Sequence, residues 1–163
     1  MIINIFERNT GSVHKQWEKS LRSILKQAAV DVNLTIAEAP EEFLAAIRRW
    51  ERTENISVIS GPEFFNEENR LFIPGASKFY KQYCLHEAPH AHYGCCLWGE
   101  YIAVEYAPYE YKLSTQLHES LHLFGVDECY DPQTLKPVTE CTNNQCVMRY
   151  GVNSTEICSH VLE

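Results

Sequence analysis

The chain has 163 residues, 45% of them hydrophobic, and a formal net charge of -8. That length and apolar content suit one domain with a sizeable core, and the acidic balance argues against nucleic acid or an anionic membrane surface as a partner. The opening Met1–Glu7 has no basic segment and only a short apolar run, and no later stretch could span a bilayer, so the protein is expected to be cytoplasmic, with neither signal peptide nor membrane span.

The pattern of apolar residues predicts a single domain made of an α/β half, residues 1–125, and a smaller cysteine-bearing half, residues 126–163. Ile2 to Phe6 reads as a first strand. Val13 to Ala29 reads as a long helix, with Trp17, Leu21, Ile24, Leu25 and Ala28 on one face. Val32 to Ile36 is a second strand. Pro40 to Trp50 is a second helix, with proline in its first turn and Phe43, Ala46, Ile47 and Trp50 as its apolar stripe. Ile56 to Ile59 and Leu71 to Ile73 are further strands, and Leu97 to Tyr106 is one more, with Gly99 a bulge. A helix over Ser114 to Phe124 closes the first half. No repeat or low-complexity linker interrupts the chain, so a cleft is expected between the halves.

That last helix carries the chemistry. His118-Glu119-Ser120-Leu121-His122-Leu123-Phe124-Gly125-Val126-Asp127-Glu128-Cys129 reads H-E-x-x-H-x-x-G-x-D-E-C. Residues i and i+4 share a helix face, so His118 and His122 can aim both imidazoles at one metal ion. Glu119, one position round, can reach a water at that metal without ligating it. Gly125 can take the left-handed conformation that ends a helix, after which Asp127 or Glu128 can return as a third ligand. Leu117, Leu121 and Phe124 form the stripe that buries the back of the helix. The plainer alternative is a solvated polar face that binds nothing. Downstream lie Cys129, Cys141, Cys146 and Cys158, with Met148 close behind Cys146. Seven cysteines without an export signal suggest reduced thiols or metal ligands rather than a disulfide scaffold.

From Tyr93 to Cys158 the chain resembles the archaemetzincins, a branch of the metzincin zinc metallopeptidases. Three features carry the resemblance: the extended motif HESLHLFGVDE, Cys129 directly after the third-ligand position, and Cys146-Val147-Met148, similar to the Cys-x-Met that opens the family's Met-turn. The tail Asn153 to Cys158 also looks like the family's approach to its later cysteines. The resemblance implies an α/β fold, with a metzincin-like mixed twisted sheet packed on helices, an active-site helix at the cleft and a small cysteine-rich C-terminal subdomain holding the Met-turn. It implies two zinc ions per chain, one catalytic and one structural, and a peptide or protein substrate.

The departures from that family are as informative. Its third ligand is usually histidine, whereas counting ten from His118 lands on Glu128; in snapalysin-like metzincins an aspartate stands there. A carboxylate is an ordinary zinc ligand, and register favours Glu128 over its competitor Asp127. The gap between Cys129 and Cys146 is long, filled by a loop with Asp131, Pro132, Pro137 and Cys141. The family's closing Cys-x-x-Cys is reduced to Cys158, followed by His160. Cys141 can supply the missing thiolate, giving a structural site of Cys129, Cys141, Cys146 and Cys158, and His160 can substitute for any of them. The alternatives are a Cys141–Cys146 disulfide or free buried thiols. Tyr150 follows Met148 by two residues, where astacin-like metzincins place a tyrosine that reaches the reacting carbonyl; simple packing of its ring is the competing account.

Cys84, His86, His90, His92, Cys95 and Cys96 crowd one segment, but their spacing matches no trusted ligand pattern, and Pro89 and Gly94 mark a loop. Tyr101, Tyr106, Tyr109 and Tyr111 read as packing rather than a substrate ladder. The expected function is hydrolysis of peptide bonds by a zinc-activated water, with Glu119 as general base and Met148 as an apolar floor. The alternative is an inactive zinc-binding domain that works by binding a peptide or protein. A redox or metal-storage role explains neither Glu119 nor the Met-turn.

Overall fold

The computed structural model describes residues 1–5, 13–27, 33–52, 68–75, 94–97, 101–105 and 113–162. Five strands form one mixed sheet: β1 (Ile2–Ile5), β2 (Thr35–Glu38), β3 (Asn69–Ile73), β4 (Gly94–Leu97) and β5 (Ile102–Glu105), in the order β2-β1-β3-β5-β4. All pairings are parallel except β4 with β5. Parallel strands need long crossovers and have both faces covered, which is why β3 and β5 are buried almost throughout rather than in alternation. Side chains alternate across the sheet, so Ile3, Phe72 and Ala103 share one face. Leu71, Ile73, Ile102 and Val104, also buried, lie on the other.

Among the described residues three α-helices accompany the sheet: α1 (Trp17–Gln27), α2 (Glu41–Arg52) and α3 (Leu113–His122). Helix α1 begins later than its apolar pattern suggests because His14 acts as its cap: the His14 carbonyl accepts from Trp17 N at 2.9 Å, and His14 Nδ1 accepts from Gln16 N at 3.1 Å. It buries Trp17, Leu21, Ile24 and Leu25. Trp17 stacks on Phe72 with ring centroids 5.0 Å apart and donates its indole N–H to Ser120 Oγ of α3 at 2.9 Å. That one side chain joins sheet, α1 and α3, and satisfies its polar atom while doing so. Pro40 stands just before α2, its carbonyl accepting from Phe43 N and Leu44 N, and α2 buries Phe43, Leu44, Ala46 and Ile47.

Two expectations are corrected. Strand β2 starts three residues later and ends two residues later than Val32–Ile36, because pairing with β1 matches Ile2 to Thr35 and Ile5 to Glu38. The stretch from Leu97 to Tyr106 is not one bulged strand: Leu97 pairs directly with Ile102 across an antiparallel register, so the chain reverses between them. Gly99 and the expected strand at Ile56–Ile59 lie outside the described residues. Among the described residues no helix is long and apolar enough to cross a membrane.

Beyond α3 the chain has no further strand among the described residues, only short turns and a 3-10 helix at Ser159–Leu162. It is held to the main core through Cys129, Cys141, Cys146, Val147, Met148 and Cys158, which form one apolar cluster with α1, α3 and the sheet. The long loop after Cys129 doubles back tightly: Tyr130 bridges Pro137, Val138 N donates to the Cys129 carbonyl at 3.0 Å, and Asp131 N to the Lys136 carbonyl at 2.9 Å. A second bridge, Cys146 with Glu156, brings Cys158 beside Cys146.

Candidate functional site

Helix α3 buries Leu117 and Leu121 completely and packs on α1, β4 and β5. His118 and His122 occupy the neighbouring face, with ring centroids 5.0 Å apart. The helix ends as the glycine required. Gly125 has φ 77°; Gly125 N donates to the His122 carbonyl at 3.1 Å, and Val126 N to the Leu121 carbonyl at 3.3 Å. These two bonds define a Schellman stop, which turns the chain back over the histidines.

The returning segment completes a three-residue group. Glu128 places one carboxylate oxygen 3.1 Å from His122 Nε2 and the other 3.0 Å from His118 Nε2. Asp127 is exposed and is not part of this group. Each histidine also meets a backbone carbonyl through Nδ1: His118 with Val147 O at 2.8 Å, His122 with Val126 O at 2.7 Å. A carbonyl only accepts, so both Nδ1 atoms carry hydrogen, and neutral rings would present their Nε2 lone pairs towards Glu128. Three electron-rich atoms facing one another need a cation among them. Without a metal that cation is a proton on the rings, and the electrostatics follow. Burial alone would lower the His118 pKa, but Glu128 and Glu119 more than offset it and push it up to about 9; His122 is raised for the same reasons. Burial would raise Glu128, but the two histidines hold it well below the usual carboxylate range. The Oε2 contact with His118 is short but badly directed for a hydrogen bond, and that oxygen is otherwise buried without a partner; we read it as an electrostatic contact.

The donor set fits zinc. Tetrahedral zinc with ligand bonds near 2.1 Å has ligand–ligand edges of about 3.4 Å, a few tenths longer than the contacts here, and all three ligand atoms lie within 4.8 Å of one another. Nδ1 bonding to carbonyls is also the usual way ligating histidines are fixed in tautomer and orientation.

Glu119 is 6% exposed, and its Oε2 is buried without a hydrogen bond. Burial raises its pKa and Glu128 adds to that, against the opposing pull of His118 and His122. Its position depends on Gly94, read from sequence as a loop marker but in fact the first residue of β4. A Cβ at Gly94 would stand 2.5 Å from Glu119 Cγ and 2.6 Å from the Val104 carbonyl. The available signal was a glycine within a strand, which marks close approach. Glu105, fully buried, faces the same region: Oε1 accepts from Gly75 N at 2.8 Å and Gln116 Nε2 at 3.2 Å. Burial, with Glu119 adding, pushes its carboxyl up to about 7 despite those two bonds.

Tyr130 is a second residue that sequence reasoning missed. Nearly buried, it sets its ring 6.5 Å from that of His118 and edge-on to Tyr150 at 5.6 Å. Burial and the negative Glu128 and Glu119 push its phenol pKa up, with a side-chain hydrogen bond to Glu128 contributing. Tyr150 is 41% exposed, with its ring against that of Tyr130. Met148 is fully buried at the third position of a turn closed by Arg149 N on the Cys146 carbonyl at 3.0 Å.

The second cluster collects all four expected thiols and His160. The Cys129, Cys146 and Cys158 sulfurs form a triangle with edges of 3.4, 3.6 and 3.3 Å. His160 Nδ1 lies 2.9 Å from Cys158 Sγ and its Nε2 3.8 Å from Cys129 Sγ. Cys129, Cys141, Cys158 and His160 lie within 4.8 Å of one another, so this buried Cys3His group could bind a metal ion such as zinc; His160 stands in it where Cys146 was expected, and Cys146 packs beside it. With zinc–sulfur bonds near 2.3 Å, tetrahedral sulfur–sulfur edges are about 3.8 Å, again a few tenths above those observed. Burial and neighbouring thiols push Cys129 up, and Cys158 up to about 12. Burial would raise Cys141 as well, but Arg149 Nε at 3.2 Å and the neighbouring sulfurs bring it down. Cys158 N donates to Cys146 Sγ at 3.4 Å. Cys141 and Cys146 are free thiols, so the disulfide alternative between them does not hold.

In the other cysteine/histidine segment, Cys84, His86, His90 and His92 lie outside the described residues. Cys95 is in a disulfide, against the expectation of reduced thiols or metal ligands, and Cys96 is half-buried on β4 and in no disulfide. Of the tyrosine run, Tyr101 carries the Arg70 guanidinium 4.5 Å over its ring; Tyr106, Tyr109 and Tyr111 lie outside the described residues. Comparison with protein-family models, with curated proteins and with solved structures finds no match to this chain.

Proposed function

We propose that this chain is a zinc-dependent peptidase of archaemetzincin-like type. The observation that carries the reading is the convergence of His118 Nε2, His122 Nε2 and the Glu128 carboxylate, with buried Glu119 one residue from the first ligand. A zinc ion there supplies Lewis acidity towards a scissile carbonyl and towards water. Glu119 takes the proton from that water and passes it to the leaving amine; its raised proton affinity suits both halves of the transfer. Tyr150, or Tyr130 whose ring packs against it, would donate a hydrogen bond to the developing oxyanion, and the buried Met148 would supply an apolar floor. The edge strand β4, pressed against Glu119 at Gly94, is where a peptide adds as a further strand. The Cys129, Cys141, Cys158 and His160 group would hold a second, structural zinc, with Cys146 packed beside it.

A second reading is a metal-binding domain without turnover. Glu128 favours it, since an anionic third ligand lowers the Lewis acidity of the metal. Glu119→Ala separates the two readings: it should keep the metal and abolish cleavage of a mixed peptide library. Glu128→Ala should weaken both metal retention and cleavage, and Asp127→Ala neither. A wild-type protein fully loaded with zinc that cleaves nothing supports the second reading; cleavage surviving in Glu119→Ala refutes the mechanism.

A further inference from the structure

The two donor clusters are joined by very little chain. Glu128, of the His/His/Glu set, is followed directly by Cys129, of the thiol cluster. Val147, whose carbonyl holds His118 Nδ1 at 2.8 Å, directly follows Cys146, whose sulfur lies 3.3 Å from that of Cys158. The two segments are tied together between these points, Cys129 N donating to the Met148 carbonyl at 2.9 Å. Val126, which holds His122 Nδ1 at 2.7 Å, belongs to the same returning segment as Glu128. Two of the three ligands are therefore positioned by residues adjacent to a thiol of the other cluster. The segments around them have no sheet of their own among the described residues to hold them.

We infer that the cysteine–histidine cluster is the positioning device of the His118/His122/Glu128 set, so that the two metal sites bind cooperatively. A metal on the Cys3His group fixes Cys129 directly, and Cys146 through its sulfur contacts with Cys129 at 3.6 Å and Cys158 at 3.3 Å. That in turn fixes the Glu128 carboxylate and the Val147 carbonyl, which sets the His118 ring. With the thiols empty, the ligands remain in the chain but lose their fixed orientation. This inference rests on the reading of His118, His122 and Glu128 as a metal site.

Cobalt(II) titration of the full chain tests it, because thiolate-bound cobalt gives charge-transfer bands that a His/His/Glu site lacks, so each site is read separately. Cys158→Ser alters a thiol remote in sequence from both segments, yet should weaken cobalt at the His/His/Glu set by about 10- to 100-fold, the usual cost of losing support around a metal ligand. Ile47→Ala, a core change on α2, lowers the melting temperature without touching either cluster and should leave that affinity unchanged; this separates positioning from general destabilisation. Linkage is reciprocal, so His122→Ala should weaken metal at the thiols by the same factor, an arm that survives if Cys158→Ser does not fold. Equal affinities in these variants and the wild type overturn the inference alone. A wild-type chain that takes no cobalt at His118, His122 and Glu128 overturns it together with the reading beneath it.

Discussion

Protons and metal should compete for the same two ring nitrogens, and the structure sets the size of the effect. In protein stripped by a chelator, the His118 pKa rises from its ordinary 6.5 to about 9. At about 1.4 kcal/mol per pH unit this corresponds to roughly 3 kcal/mol. The depressed Glu128 pKa is the other side of the same pairing and is not added. Because the folded pKa lies above the unfolded one, the contribution is complete below pH 6.5 and is lost as pH climbs through about 9. For a domain of this size a loss of that order lowers the melting temperature by roughly 6–12 °C. Metal affinity should run the other way, rising between pH 7 and 9 as the displaced protons become easier to remove. The assay is thermal melting of chelated protein at pH 6.5, 8 and 9, with zinc affinity measured against a competing chelator at the same values. His118→Gln serves as the control, so other titrating groups cancel in the difference. Melting curves that shift with pH equally in wild type and His118→Gln, or a zinc affinity flat from pH 7 to 9, would refute the reasoning.

Gly94→Ala places a methyl 2.5 Å from Glu119 Cγ, about 1 Å inside ordinary contact. On the proposed mechanism, displacing Glu119 by that much should lower peptide cleavage by roughly 100-fold while metal content stays full; undiminished cleavage would refute Glu119 as the proposed base. Glu105 has a folded pKa of about 7 against 4.5, so its ionisation destabilises the fold as pH rises between those values. Glu105→Gln keeps an acceptor for Gly75 N and should be more stable than wild type at pH 8 by about 2–3 kcal/mol, with little difference at pH 4.5; equal denaturation midpoints at pH 8 would reject the buried charge. Cys158→Ser, which removes a member of the Cys3His group, should lower the melting temperature and lose one equivalent of zinc, and a variant unchanged in both would show that the thiols hold no structural metal.

What could be read from the chain alone was whatever the local backbone dictates. Helical periodicity put His118 and His122 on one face and Leu117 and Leu121 on the core face, and a glycine after the helix meant a left-handed stop, as the φ of 77° at Gly125 shows. Counting along that short return marked Glu128 as a candidate. The rest depends on distances between residues far apart in sequence. Leu97 to Tyr106 looked like one strand because alternation does not say which neighbour a strand takes; its reversal exists only through the pairing of Leu97 with Ile102. The role of Gly94 required β4 to lie against a helix 25 residues on, at Glu119. Nothing in the composition of Val147 announces that its carbonyl orients His118, since every residue carries that acceptor. The same holds for Tyr130 beside the histidines, whereas the place of His160 just after Cys158 already offers it as a ligand of the thiol cluster. A ligand's type is written in its side chain, but its aim comes from hydrogen bonds and packing that form only when the sheet, α3 and the returning segment come together.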